Sequence, residues 1–152
     1  MPVQVRSYTP KTIKNPKRVG DVGMIDIGTT LADGSLYAGH HPVDEGFLVC
    51  KAEHEPELMT WYDANKLSDG FFRLPTPIEL NLLFWYRNKI CVLDPSRRYW
   101  SSKEGDYNRA WVFPDTVSNW SISSFKDTLN SVRLVRTVRH SELKNLIREI
   151  WW

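Results

Sequence analysis

The chain has 152 residues, 41% hydrophobic, 25% charged and 12% aromatic, with seven Trp, which suits one domain with a substantial core rather than two independent ones. No run of about 18 apolar residues occurs, and this excludes a transmembrane helix of ordinary length. The net charge of +2 resolves into blocks: five basic and no acidic residues in 1–20, ten acidic against two basic in 21–72, and thirteen basic against eight acidic thereafter, or +5, −8 and +5.

Residues 1–20 carry Arg6, Lys11, Lys14, Lys17 and Arg18, three prolines and no helical period. They read as a basic extended arm, and lacking an apolar stretch they do not read as a secretory signal. Such an arm binds nucleic acid or lies on an acidic protein surface. Val3, Val5, Tyr8 and Ile13 favour protein, which makes Lys11, Lys14, Lys17 and Arg18 candidate partner-binding residues.

"VGMIDIG" (22–28) predicts a strand, "ADGSLYAG" (32–39) an Asp-Gly turn into a second, and the apolar run Phe47 to Cys50 a third. Thr60 can cap a short helix with Trp61, Ala64 and Leu67 on one side. "FRLPTPIELNLLFWYRN" (72–88) follows. Thr76, Pro77 and Glu79 form a capping box with proline at the first helical position, predicting a helix from Pro77 to Arg87 or Asn88. Inside it only Glu79 and Asn81 are polar, which predicts burial on more than one side.

After the basic stretch "DPSRR" (94–98), strands are expected at "YWSS" (99–102), "NRAWVFP" (108–114), "VSNWSIS" (117–123) and "NSVRLVRTV" (130–138). Alternation sets Tyr99 and Trp100 on opposite faces, so at most one of them is expected in the core. "SELKNLIREIWW" (141–152) predicts a helix capped by Ser141, with Leu143, Leu146, Ile147, Ile150 and Trp151 on one face. That face must be covered by its own domain or by a partner, and Leu143, Ile147, Ile150 and Trp151 are the candidate contacts. The fold class expected is α+β: two helices packed on antiparallel sheets, plus the arm and a C-terminal helix.

The chemistry on offer is sparse. His40, His41, His54 and His140 have no metal-ligand spacing, and Cys50 and Cys91 form neither a CxxC pair nor a disulfide framework. They read as buried thiols of a reducing compartment. No nucleophile elbow or phosphate-cradling loop occurs, and the acids Asp44, Glu45, Glu53, Glu55 and Glu57 read as solvated loops rather than a calcium site. No metal, cofactor or catalytic residue is therefore expected. Basic and aromatic residues do interleave at "RRYW" and "YNRAW", so Arg97, Arg98, Tyr107 and Arg109 are candidate ligand-binding residues able to stack on bases or sugars.

Taken in order, "FRLPTPIELNLLFWYRN", "YWSS", "AWVF" and "NSVRLVR", preceded by "DGSLYAG" and "TWYDANKLSDG", resemble the C-type-lectin-like domain found at the C-terminus of the Legionella collagen-like adhesin and in many bacterial and prophage proteins. The resemblance spans about residues 20–138. It implies a C-type-lectin-like domain over 21–138, flanked by the arm (1–20) and the helix (139–152), with Trp120 joining the ligand-binding candidates. It also implies a non-enzymatic module of a phage virion, or a protein of the bacterial cytoplasm, that serves in adhesion, decoration or assembly. Its partners would be proteins, as in a homo-oligomer, or surface glycans. The Glu-Pro-Asn and Trp-Asn-Asp signatures of calcium-dependent sugar binders are missing, and "SNW" has the wrong order. Two rival expectations remain: a nucleic-acid-associated or inhibitory protein acting through the arm, and a formylglycine-generating type of oxidase, which shares the Arg-Leu-Pro-Thr-x-x-Glu motif but places its cysteines differently.

Overall fold

The computed structural model describes residues 25–90, 92–113 and 122–151, and of 148–151 only the backbone course. In chain order the elements are β1 (Leu36–His40), β2 (Phe47–Cys50), α1 (Trp61–Asn65), α2 (Pro77–Trp85), β3 (Tyr99–Asp106), β4 (Arg109–Phe113), β5 (Ile122–Phe125), β6 (Val135–Val138) and α3 (His140–Trp151). The protein is α+β, with two antiparallel three-stranded sheets ordered β1-β2-β6 and β3-β4-β5.

The Asp-Gly turn and β1 form where the sequence places them. Asp33 accepts from the backbone N–H and hydroxyl of Ser35 (3.0 and 2.6 Å), which closes the turn into the strand. Of the strand expected at 22–28, residues 22–24 lie outside the described residues and 25–28 form no strand. Ile25 to Gly28 turn instead, because Gly28 takes φ +100° and the space its Cβ would need is filled by the Lys89 carbonyl, 2.2 Å away. Thr60 caps α1 through Asp63 N–H (3.2 Å). Both halves of the α2 capping box are present, Thr76 Oγ1 accepting from Glu79 N–H (3.2 Å) and Glu79 Oε1 from Thr76 N–H (2.8 Å). The helix ends at Trp85, short of the expected Arg87, where Tyr86 leaves helical geometry at φ −93°, ψ 20°.

The first sheet is covered on both faces. Leu48, Cys50 and Val135 point toward Leu80 and Leu83 of α2. Phe47, Val49 and Val138, one residue out of phase, point the other way onto Leu143 and Ile147 of α3. This two-sided burial explains why β2 reads as an unbroken apolar run instead of an alternation. It also corrects the reading of Leu143 and Ile147 as partner contacts: both are fully buried against the chain's own sheet. The side chains of Ile150 and Trp151 lie outside the described residues. The cap of α3 is Arg139 rather than Ser141, its N–H donating to Glu142 Oε1 (3.0 Å).

Tyr99 and Trp100 are both fully buried, where alternation predicts at most one, since the second sheet also has a core on each side. Tyr99 joins Phe113 beneath α2, and Trp100 joins Ala110, Val112, Val132 and Leu134 beneath α1. The Trp100 indole N–H donates to the Met59 carbonyl (2.8 Å), and Tyr99 Oη accepts from Asp94 N–H (2.8 Å). β6 is shorter than the expected 130–138. Asn130 and Ser131 make isolated bridges to Met59 and Tyr99, which stitch the two sheets together. On α2, Ile78 and Trp85 are exposed, so its apolar residues are not all internal as expected.

Candidate functional site

The structure divides the candidate ligand-binding residues between two ends of one strand. Arg97 and Arg98 lie just before β3, whereas Tyr107 and Arg109 form the turn from β3 to β4. A strand advances about 3.3 Å per residue, so these pairs stand on the order of 25 Å apart. Arg97 is engaged locally with Asp94 (3.5 Å), and Arg98 is exposed. Trp120 and the four basic arm residues Lys11, Lys14, Lys17 and Arg18 lie outside the described residues.

The β3–β4 turn gathers the more coherent surface. Strand pairing sets Arg109 opposite Phe125 of β5. The Arg109 guanidinium lies 4.3 Å from the Phe125 ring centre and donates to Ser123 Oγ (3.2 Å). Tyr107 is 86% exposed, and Phe125, whose ring Arg109 covers, is exposed too, at 48%. Beneath them runs Lys126, whose side chain is almost wholly buried. Its ammonium pairs with Glu104, donates to the Tyr107 carbonyl (3.0 Å) and sits 4.6 Å from the Trp61 ring centre and 5.8 Å from that of Tyr62. A desolvated cation satisfied in this way is a strong tether. It joins the β3–β4 turn to α1. Phe125, Lys126 and Glu104 went unnoticed in the sequence, because only the pairing of distant strands brings them to the β3–β4 turn.

A second polar cluster lies inside. Glu79, 1% exposed, receives both guanidinium nitrogens of Arg73 (2.7 and 2.8 Å), the Thr76 N–H and His41 Nε2. His41 Nδ1 accepts the backbone N–H groups of Val43 (3.1 Å) and Asp44 (2.8 Å), so the ring proton sits on Nε2 and points to the carboxylate. Arg73 also donates to Thr137 Oγ1 (2.9 Å), and its backbone pairs with Val135 in both directions. Burial pushes the Glu79 carboxyl up, but the bonds from Arg73, Thr76 and His41 outweigh it and hold the group below the usual glutamate range. A carboxylate whose lone pairs are taken in this way is a strut linking the β1–β2 loop, α2 and β6.

Cys50 is buried, and burial pushes its thiol up to about 11 against the opposing effect of Arg133. Arg133, itself buried, donates from Nε to the Lys51 carbonyl (3.1 Å) and also reaches the Ala52 carbonyl. Cys91 lies outside the described residues. Among the described residues no three His, Cys, Asp or Glu side chains come together as a metal site, and no helix is long and apolar enough to cross a membrane. No family model matches the chain, and no curated protein matches it at a significant level.

Proposed function

We propose that the chain is a non-enzymatic binding module of C-type-lectin-like architecture, phage or prophage encoded, that recognises a protein or glycan through Tyr107, Arg109 and Phe125 at the β3–β4 turn. The observation that carries this reading is the pair of exposed aromatics Tyr107 and Phe125 with Arg109 over the Phe125 ring, at a turn whose Tyr107 carbonyl is held by the buried Lys126. Exposed apolar side chains that adjoin one another mark binding surfaces where scattered ones do not, and a surface whose supports are locked binds with little ordering cost. The ordered sequence motifs and the α+β layout of two small antiparallel sheets support the architecture.

Glu104, Asp106 and Asp127 border the same surface and are exposed. They disfavour a polyanionic partner there, so protein or glycan is preferred over nucleic acid. The test is binding of the purified chain to a glycan array and to proteins recovered with the intact assembly, compared with a Tyr107→Ala/Phe125→Ala variant. Loss of binding by at least about tenfold is expected, the scale of a central aromatic contact. Undiminished binding by the double variant, or binding only to DNA with steep salt dependence, overturns the proposal.

A further inference from the structure

A cleft of about 260 Å³ is lined by Asp33, Gly34, Ser35, Lys51, Ala52, Glu53 and Phe72. Its charges are matched unevenly. Asp33 pairs with Arg136 (3.6 Å) and Lys51 with Glu55 (3.8 Å), while Glu53 has no ion pair among the described residues. The Phe72 ring forms the apolar wall, with Lys51 and Arg136 flanking it at 5.9 and 5.8 Å from its centre. An unmatched carboxylate beside an aromatic face is the combination that recognises an ammonium or guanidinium group.

The chain carries such groups in the segment that precedes the described residues. Residues 1–20 hold five cations and no acid, against a −8 balance in 21–72. The described structure begins at Ile25, packed in one cluster with Leu31. Leu31 in turn closes the turn that forms the cleft wall, its N–H donating to the Ser35 carbonyl (2.8 Å) and its carbonyl accepting from Gly34 N–H (2.9 Å). Lys17 stands eight residues before Ile25, a reach of about 28 Å at full extension. Lys14 and Lys11 reach further.

We propose that this cleft is the docking site of the chain's own basic segment, a lysine of residues 11–17 placing its ammonium between Glu53 and the Phe72 ring. The apolar neighbours Tyr8 and Ile13 would then have exposed Phe71, beside the cleft, as their contact. Docking would spend the segment's charge within the molecule and leave the aromatic surface as the face presented to partners.

Carbodiimide cross-linking of the full chain at low salt, mapped by mass spectrometry, tests this with an equal mixture of unlabelled and isotope-labelled protein. The expected product joins Lys11, Lys14 or Lys17 to Glu53 within one chain. It disappears in Glu53→Gln, and it falls at least tenfold at about 0.5 M salt, where screening leaves only close contacts. Glu53 is exposed, so the thermal midpoint of Glu53→Gln should match the parent and show that the loss is local. Cross-links confined to other carboxylates, none at all, or products joining labelled to unlabelled chains as often as like to like would each overturn the proposal, the last by assigning the site to a second copy.

Discussion

Glu79 shows how much of the molecule can depend on one side chain. Its carboxylate sits at the N3 position of α2, where it completes the capping box, and from there it also holds Arg73 and His41. Replacing it with alanine leaves a guanidinium and a ring N–H without their acceptor. The expected cost is about 2–3 kcal/mol in urea denaturation, at the low side for a buried pair because Arg73 keeps solvent access. Folding lowers this pKa, so the contribution is complete above the ordinary glutamate range and is lost as pH falls through the lowered folded value. The stability gap between the parent and Glu79→Gln should therefore be widest near neutrality and close on acidification; a gap that widened in acid would refute the assignment. Cys50 allows a simpler measurement. With its thiol buried and pushed up to about 11, it should resist a thiol reagent at pH 7 in a Cys91→Ser background and react fully in denaturant.

Elements differ in what their apolar residues do. Leu143 and Ile147 of α3 are internal, so Leu143→Ala should cost about 2–4 kcal/mol, as a cavity at a fully buried site does. Trp85 of α2 is a larger side chain but 75% exposed, and Trp85→Ala should change stability by less than about 0.5 kcal/mol. Chemical denaturation of the two variants side by side checks the contrast. The β1–β2 connection adds a backbone constraint. Gly46 has φ +109°, and a Cβ there would lie 2.6 Å from the Val138 carbonyl, on the strand that pairs with β2. Gly46→Ala should cost at least about 2 kcal/mol, from left-handed strain together with the clash. A neutral result would mean that β6 does not lie against this turn.

At the scale of the whole molecule, the three apolar clusters share their walls. β2 and β6 contribute to both the α2 and the α3 side, and β3 contributes Tyr99 to one cluster and Trp100 to another. No cluster can be lost without exposing a strand that another needs, so unfolding should be a single cooperative transition. Far-ultraviolet circular dichroism and tryptophan fluorescence should give coincident midpoints in the parent and in Leu143→Ala. Separate midpoints would show α3 to be an independent unit.

The features legible in the sequence are those decided within a few residues of chain. The Thr60 cap, the Thr76–Glu79 box, the Asp33–Gly34 turn and the apolar runs of β1 and β2 all depend on local hydrogen bonds and local periodicity. The candidate surface was half legible: Tyr107 and Arg109 stand out as a basic-aromatic turn, whereas their separation from Arg97 and Arg98 follows only from the length of β3. Tertiary structure alone decided that Tyr99 and Trp100 are both internal, that α3 covers its own sheet and that Lys126 joins the β3–β4 turn to α1. Each of these depends on which distant strands pair and which faces they bury. Pairing and burial are contests among all the apolar surfaces of the chain at once, and a local pattern records only one contestant.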